Sequence, residues 1–314
     1  MSKTLQKAEE RLLSAIGGAR VSHAFFISST DAVPARQLAR RAAALVCTGV
    51  ADEARLAESA NFRSYDGVSM RMEDVRALID ELAQSPLDGQ MRCTLIEGAH
   101  GMSTAVQNAL LKTLEEPPSS AVFLLTGNIA GVLPTVASRC AVIRVGLSTA
   151  EETEAVLLAR GASPAAARLY AAAGGGSETR ALRLYEDEAF RALRTDAFSA
   201  LTALLRGELP LGASRKLCAN RGAADAFAFM LSFLRDMLAL RTGSGIPPEN
   251  PDQRDAVAAL APRFTIGRIT CMIEMLSKAT GDLYSANAGA LMDLAVADRL
   301  FLEISEAVTN KLRP

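Results

Sequence analysis

Tryptophan is absent from this sequence of 314 residues, and aromatic residues make up only 5% of it. Alanine and leucine crowd the second half instead, a composition that favours helix-rich architecture. No apolar run approaches the roughly 20 residues needed to cross a bilayer. That excludes a membrane-spanning helix and leads to the expectation of a soluble chain with no membrane partner. Charge of one sign is not in excess either, since 34 Lys and Arg face 35 Asp and Glu for a net charge of -1. A protein that grips nucleic acid alone neutralises phosphates with surplus basic residues, so any DNA contact has to be local or shared. The five cysteines, Cys47, Cys93, Cys140, Cys218 and Cys271, include no Cys-x-x-Cys pair. Neither a zinc site nor a disulfide framework is signalled, and reduced, mostly buried thiols are expected. His23 and His100 lack metal-ligand spacing and a nucleophile partner, so structural roles are expected of both. The first ten residues carry both charges and lack the unbroken apolar stretch of a secretory signal, which makes the cytoplasm the expected location.

What is present is enough chain for two or three cores of ordinary size. Up to about residue 145, short β-like runs alternate with helical patterns, the rhythm of a parallel sheet covered by helices. The runs are residues 23–27, 92–97 and 121–126, joined by 141–145 and, more weakly, by 61–65. Between them, Met72, Val75, Leu78, Ile79 and Leu82 make one helical stripe, with a chain break expected at Pro86 and Asp88-Gly89. A second helix is expected from Thr104, with Thr104 and Gln107 as a capping box, until Pro117-Pro118 stops it. After Val145 the strand signals fade, and Ser148 followed by Glu151 reads as the N-cap of a helical region. Gly174-Gly175-Gly176-Ser177 punctuates that region, another long helix starts near residue 190, and Gly243 to Pro248 reads as an interhelix loop. The sequence contains no internal repeat.

One ordered series of motifs is more specific. Leu95-Ile96-Glu97-Gly98-Ala99-His100-Gly101-Met102 is followed by Gln107-Asn108-Ala109-Leu110-Leu111-Lys112-Thr113-Leu114-Glu115-Glu116-Pro117-Pro118. Then come Phe123-Leu124-Leu125-Thr126-Gly127-Asn128 and Leu133-Pro134-Thr135-Val136-Ala137-Ser138-Arg139-Cys140. In this order they resemble the Walker B strand, the following helix, the sensor 1 strand and the Ser-Arg-Cys motif of bacterial clamp-loader AAA+ subunits. Upstream, Arg20 to Ile27 is similar to the family's lead-in to its phosphate-binding loop. Downstream, Gly176 to Leu182 resembles the sensor 2 helix, and residues such as Phe229 to Leu238 are similar to a helical collar. The specific resemblance spans about residues 20 to 182. It implies an α/β AAA+ core with a RecA-like parallel sheet, a small helical lid and an all-α C-terminal collar, expected at residues 1–146, 147–192 and 193–314.

Against that family the chain departs where nucleotide should bind. A P-loop needs glycines whose N–H groups surround phosphate, a lysine for the β/γ oxygens and a Ser or Thr for magnesium. The matching stretch is Ser28-Ser29-Thr30-Asp31-Ala32-Val33-Pro34-Ala35-Arg36. Ser29, Ala32 and Pro34 stand for the glycines, Ala35 for the lysine and Arg36 for the hydroxyl ligand. Pro34 also removes an N–H donor, and Asp31 sets a carboxylate against incoming phosphate. Glu97-Gly98 replaces the adjacent Asp and Glu of active relatives, losing the acid that polarises water. No intrinsic ATPase, no bound cofactor and no metal are expected, and the family's four-cysteine zinc module has no room between Thr48 and Ala60.

The resemblance then implies a non-hydrolysing stator that lends a neighbour an arginine finger in trans. Arg139, within Ser138-Arg139-Cys140, is the expected catalytic residue. The implied partners are a gamma/tau-like ATPase and a delta-like clamp opener in a hetero-oligomeric ring, with the sliding clamp and primed DNA reached through the assembly. Any polymerase activity belongs to the whole holoenzyme. The alternative is an ATP-hydrolysing gamma/tau-type subunit, which needs a nucleotide site that Ser28 to Arg36 is ill suited to build. Asn128 reads as a turn former rather than a sensor, and Arg36, Arg40 and Arg41 as a solvated helix face rather than a DNA contact. Arg180 matches sensor 2 but faces a phosphate pocket that has been dismantled. Leu231, Leu234, Met237 and Leu238 form an apolar stripe that fits either a bundle core or a subunit interface.

Overall fold

A computed structural model describes residues 3–16, 22–82, 91–118, 120–210, 212–285 and 290–309. Arg20 and Val21 of the lead-in, and the break expected at Pro86 and Asp88-Gly89, lie outside the described residues. The chain divides into two units, one formed by Met1–Val156 with Gly176–Thr179, the other by Leu157–Gly175 with Arg180–Pro314.

In the first unit the elements run α1 (Lys3–Ile16), β1 (Ala24–Ser28), α2 (Ala32–Thr48), β2 (Phe62–Asp66), α3 (Met72–Leu82), β3 (Arg92–Glu97) and α4 (Thr104–Glu115). They continue with β4 (Ala121–Gly127), α5 (Pro134–Ala137), β5 (Ala141–Arg144) and α6 (Ala150–Ala159). The five apolar runs become one parallel sheet in the order β2-β3-β4-β1-β5. Alternation decides what each face buries. Phe25, Ile27, Cys93, Leu95, Val122 and Leu124 pack with Leu5 and Leu12 of α1 and Leu38 and Ala42 of α2. Ala24, Phe26, Ile96, Phe123 and Leu125 pack with Val75 and Leu78 of α3 and Val106 and Leu110 of α4. Because helices cover both faces, β4 is buried from Ala121 through Thr126 and reads as a continuous apolar run.

Both expected caps are displaced by one residue. Ser103, not Thr104, caps α4 by accepting from the Val106 N–H at 3.3 Å. Gln107 is buried, and its amide is used elsewhere, donating to the Met102 carbonyl at 3.1 Å and accepting from the Leu133 N–H at 2.8 Å. At α6 the reciprocal pair is Thr149 with Glu152, at 3.2 and 3.0 Å. Ser148 is drawn away because its hydroxyl donates to the Glu178 carboxylate at 2.6 Å. In each case a buried polar partner distant in the chain outcompetes the local cap.

Beyond α6 the described elements are all helical: α7 (Pro164–Ala173), α8 (Glu178–Glu186), α9 (Glu188–Leu205), α10 (Ala213–Leu217), α11 (Ala223–Thr242), α12 (Arg254–Leu260), α13 (Ile266–Ser285) and α14 (Ala290–Thr309). The second unit closes on Phe190, Phe198, Phe229 and Phe233, whose ring centroids lie 5.1 to 6.3 Å apart. Leu234 and Met237 are buried in that core and Leu231 and Leu238 pack on its margin, so the stripe on α11 serves the bundle. Gly243 stops α11 in a left-handed conformation, φ 63°, and opens the expected loop. Arg194 is buried beside these rings, forked onto Asp252 at 2.7 and 2.8 Å and donating to Asn250 at 3.0 Å. Burial alone would raise the Asp252 carboxyl, but the Arg194 hydrogen bonds and charge outweigh it and hold the group below its ordinary range. No single helix among the described residues is long and apolar enough to cross a membrane.

Candidate functional site

The segment that stands for a phosphate-binding loop joins β1 to α2, and Asp31 sits at the N-cap position of α2 without bonding to that helix. Its carboxylate, 1% exposed, is directed to the start of α8 instead. It accepts from the Glu178 N–H at 2.5 Å and the Thr179 N–H at 3.3 Å, and the Thr179 hydroxyl donates to it as well. The Val33 N–H donates to the Thr179 hydroxyl oxygen at 3.1 Å, and Ser29 Oγ accepts from the Asp31 N–H at 3.0 Å. The first turn of a helix presents unpaired N–H groups and the positive end of its dipole, which is how such termini hold phosphate. Here a side chain of the same chain supplies the anion.

An ion pair lies beside this loop, with the Arg36 side chain 60% exposed. Arg36, which the resemblance aligns with the family's magnesium-binding hydroxyl, places Nε 2.6 Å from Glu97, which it aligns with the Walker B strand. Arg40 pairs with the same carboxylate at 3.5 Å and with Glu53 at 2.5 Å, and Arg41 pairs with Glu9 at 2.5 Å. All three arginines of the expected solvated cluster are therefore engaged by carboxylates of the chain itself. Gly98 adopts φ 66°, a left-handed conformation that disfavours the acid found there in active relatives.

Other polar residues of each unit have contacts of their own. Asn128 Oδ1 accepts from the Ala130 N–H at 3.0 Å, making the turn expected of it. His100 packs so closely on Gly127 that a Cβ there would lie 2.4 Å from its Nδ1. Arg180, in the second unit, lies over the Phe229 ring at 5.9 Å and lines a cavity of about 410 Å³ with Arg235 and Glu249. Cys47, Cys93, Cys140 and Cys218 are buried, while Cys271 is exposed. Burial pushes the Cys140 thiol up to about 11, and burial with the nearby Asp293 and Asp298 does the same at Cys218, also to about 11. These two thiols stay protonated and unreactive at neutral pH.

Arg139 lies at the opposite end of the sheet. The loop at Ser28 and the acid Glu97 follow the carboxyl ends of β1 and β3, whereas Arg139 precedes the amino end of β5. Pro134 occupies the first helical turn of α5, where it is well tolerated, as Pro34 does in α2. Val136 and Cys140 are buried and anchor the turn, leaving Ser138 and Arg139 on the surface. The Arg139 guanidinium donates through Nε to Glu115 at 2.8 Å, through Nη2 to the same oxygen, and through Nη1 to the Thr135 carbonyl at 2.6 Å. The sequence singles out Arg139 as an expectation but gives no role to Glu115, Thr135 or Thr179, the groups that contact Arg139 and Asp31. An acid at the carboxyl end of α4, unfavourable to the helix dipole, is the available hint for Glu115.

Comparison with known proteins adds a family. Residues 4–148 match the family described as DNA polymerase III, delta subunit, and residues 188–298 match DNA polymerase III, delta subunit, C terminal. Among curated relatives, the DNA polymerase III subunit tau of Escherichia coli is 35% identical over 150 residues, covering 42% of this chain and 23% of its own length. The Salmonella typhimurium subunit tau has the same identity and coverage. The subunit gamma/tau of Mycobacterium bovis is 28% identical over 277 residues, covering 76% of this chain and 46% of its own. The chain thus spans about a quarter of the length of the first of these relatives. A solved gamma subunit-related protein from Thermotoga maritima covers 98% of this chain and 100% of its own at 16% identity, with a TM-score of 0.46. The two matched segments together take in most of the chain, and it belongs to the DNA polymerase III delta-subunit-like clamp-loader family.

Proposed function

We propose that this chain is a delta-prime-like, non-hydrolysing clamp-loader subunit, a stator that completes a neighbour's ATP site with Arg139. The observation that carries the reading is the Asp31 carboxylate, buried on the first turn of α8 where an anion would otherwise be held. A triphosphate entering there would have to displace a hydrogen-bonded carboxylate of its own charge sign and break the Arg36–Glu97 pair. The isolated chain is accordingly expected to have no ATPase and no bound cofactor.

The polarity of the sheet supports the second half of the proposal. The lost nucleotide corner and Arg139 lie at opposite strand ends, which suits a head-to-tail contact in which one subunit's finger meets the next subunit's nucleotide. A finger supplied in this way stabilises charge developing in the transition state, worth about 10³ to 10⁵ in rate for GTPases. The proposed partners are a gamma/tau-like ATPase and a delta-like clamp opener in a hetero-oligomeric ring, with the sliding clamp and primed DNA engaged through the assembly in the cytoplasm. Residues 193–314 would form the oligomerising collar, and residues 147–192 the lid. The test is the DNA- and clamp-stimulated ATPase of the reconstituted loader carrying Arg139→Ala. Loss of the neighbour's turnover is the expected result, and unchanged turnover would refute the finger.

A second reading, a gamma/tau-type ATPase, draws on the names of the curated relatives. It predicts magnesium-dependent ATP turnover by the isolated chain, which the delta-prime-like reading denies.

A further inference from the structure

We infer that Glu115 is a positioning residue, holding the Arg139 guanidinium by one edge so that the other is presented to a neighbour's phosphate. The inference rests on the reading of Arg139 as a finger. Two observations carry it. Of the five N–H donors of a guanidinium, three are engaged: Nε and one on Nη2 by Glu115, and one on Nη1 by the Thr135 carbonyl. Among the described residues two remain, one on each terminal nitrogen, and the outer edge between those nitrogens can receive two oxygens of a single phosphate. The second observation is the place of Glu115 itself. It is the last residue of α4, followed by Glu116, and the carboxyl end of a helix disfavours acidic side chains. The helix gains nothing from this carboxylate, whereas the guanidinium gains a fixed orientation.

The pair is solvent-accessible, with side chains 30% and 46% exposed, so it contributes little to folding. Its expected effect is on the chemistry, because a long side chain that is already ordered loses less freedom on meeting the transition state. Since a finger acts in the transition state, the effect should fall on kcat and leave KM for ATP in place.

The experiment uses the reconstituted loader with magnesium-ATP, clamp and primed DNA, and compares Glu115→Ala, Glu115→Gln, Arg139→Ala and the double variant Glu115→Ala/Arg139→Ala. Glu115→Ala is expected to lower kcat at the neighbour's site by about two- to tenfold, with KM unchanged. Glu115→Gln, which keeps an oxygen acceptor, should recover most of that loss. The double variant should be no worse than Arg139→Ala alone, since Glu115 acts only through the guanidinium. If Arg139→Ala is without effect, the finger reading fails and this inference with it. If Arg139→Ala is severe while Glu115→Ala is silent, or raises kcat, or adds its own loss in the double variant, the finger stands and the positioning role is overturned. Equal losses in Glu115→Ala and Glu115→Gln would overturn it too, because the charge and not the held geometry would then matter.

Discussion

The two ends of the sheet in the first unit treat charge in opposite ways. At the carboxyl ends of β1 and β3, Asp31 is buried and fully engaged, and Glu97 is locked to Arg36 and Arg40. At the amino ends of β4 and β5, Arg139 is held at the surface with part of its donor set unspent. In the first arrangement the Asp31 carboxylate is satisfied within the chain and stabilises the fold, while Arg36, its side chain 60% exposed, pairs with Glu97 at the surface and adds little. The second orients a charge without burying it, which suits a partner. On the proposed reading, a nucleotide-binding fold would lose its own site and keep the part that serves the next one, since the two lie a strand's length apart, about 17 Å for five or six residues.

Substitutions can break or sharpen that contrast. The largest effect is expected from Arg139→Ala, which should slow the neighbour's ATP turnover by about 10³ or more while leaving the variant's thermal midpoint near that of the wild type. A stopped-flow phosphate-release assay on the assembled loader measures the first and differential scanning fluorimetry the second. Asp31→Ala should behave in reverse. It leaves the Glu178 and Thr179 donors buried without their acceptor, at a cost of about 2 to 3 kcal/mol, and inorganic phosphate should stabilise this variant but not the wild type. Chemical denaturation with and without phosphate reads both outcomes, and equal stability of variant and wild type would remove the carboxylate from its assigned role.

A smaller effect is expected at Gly98. Restoring an acid there by Gly98→Glu forces a side chain into a left-handed conformation, costing about 1 to 2 kcal/mol. No ATPase should appear, because Arg36 and Asp31 still fill the site. Turnover gained by this single change would show that the corner is closer to function than its ion pairs indicate. The smallest effect is expected from Arg41→Ala. Its pair with Glu9 is partly exposed on the Arg41 side but the Glu9 carboxylate is buried, and a shift of about 1 kcal/mol in denaturation is expected.

Much of the fold could be read from the sequence because it is written locally. All five strands and α3 follow from short apolar runs and helical spacing, with limits moved by at most a residue or so. The helix-covered parallel sheet and the helical carboxyl region follow from the order of those elements, and the sheet's AAA+-like character from the motif resemblance. The caps were harder: Ser103 beside Thr104 and Ser148 beside Thr149 offer two hydroxyls each, and only tertiary partners such as Glu178 decide between them. At the candidate site the sequence shows which residue types are missing from Ser28 to Arg36, the glycines and lysine of a P-loop. It does not show what replaced them. Asp31 looks like an ordinary N-cap for the helix it precedes, and its bond to Thr179 joins residues 148 positions apart, beyond any local pattern. Arg36 and Glu97 likewise look like a stray base and a leftover acid until the sheet brings them to 2.6 Å.

The most direct measurement is a calorimetric titration of magnesium-ATP into the isolated chain. With Asp31 seated on the first turn of α8, no saturable heat is expected up to about 1 mM ATP, the weak end of ordinary affinities. Saturable micromolar binding that is lost when the loop around Pro34 is altered would contradict the account.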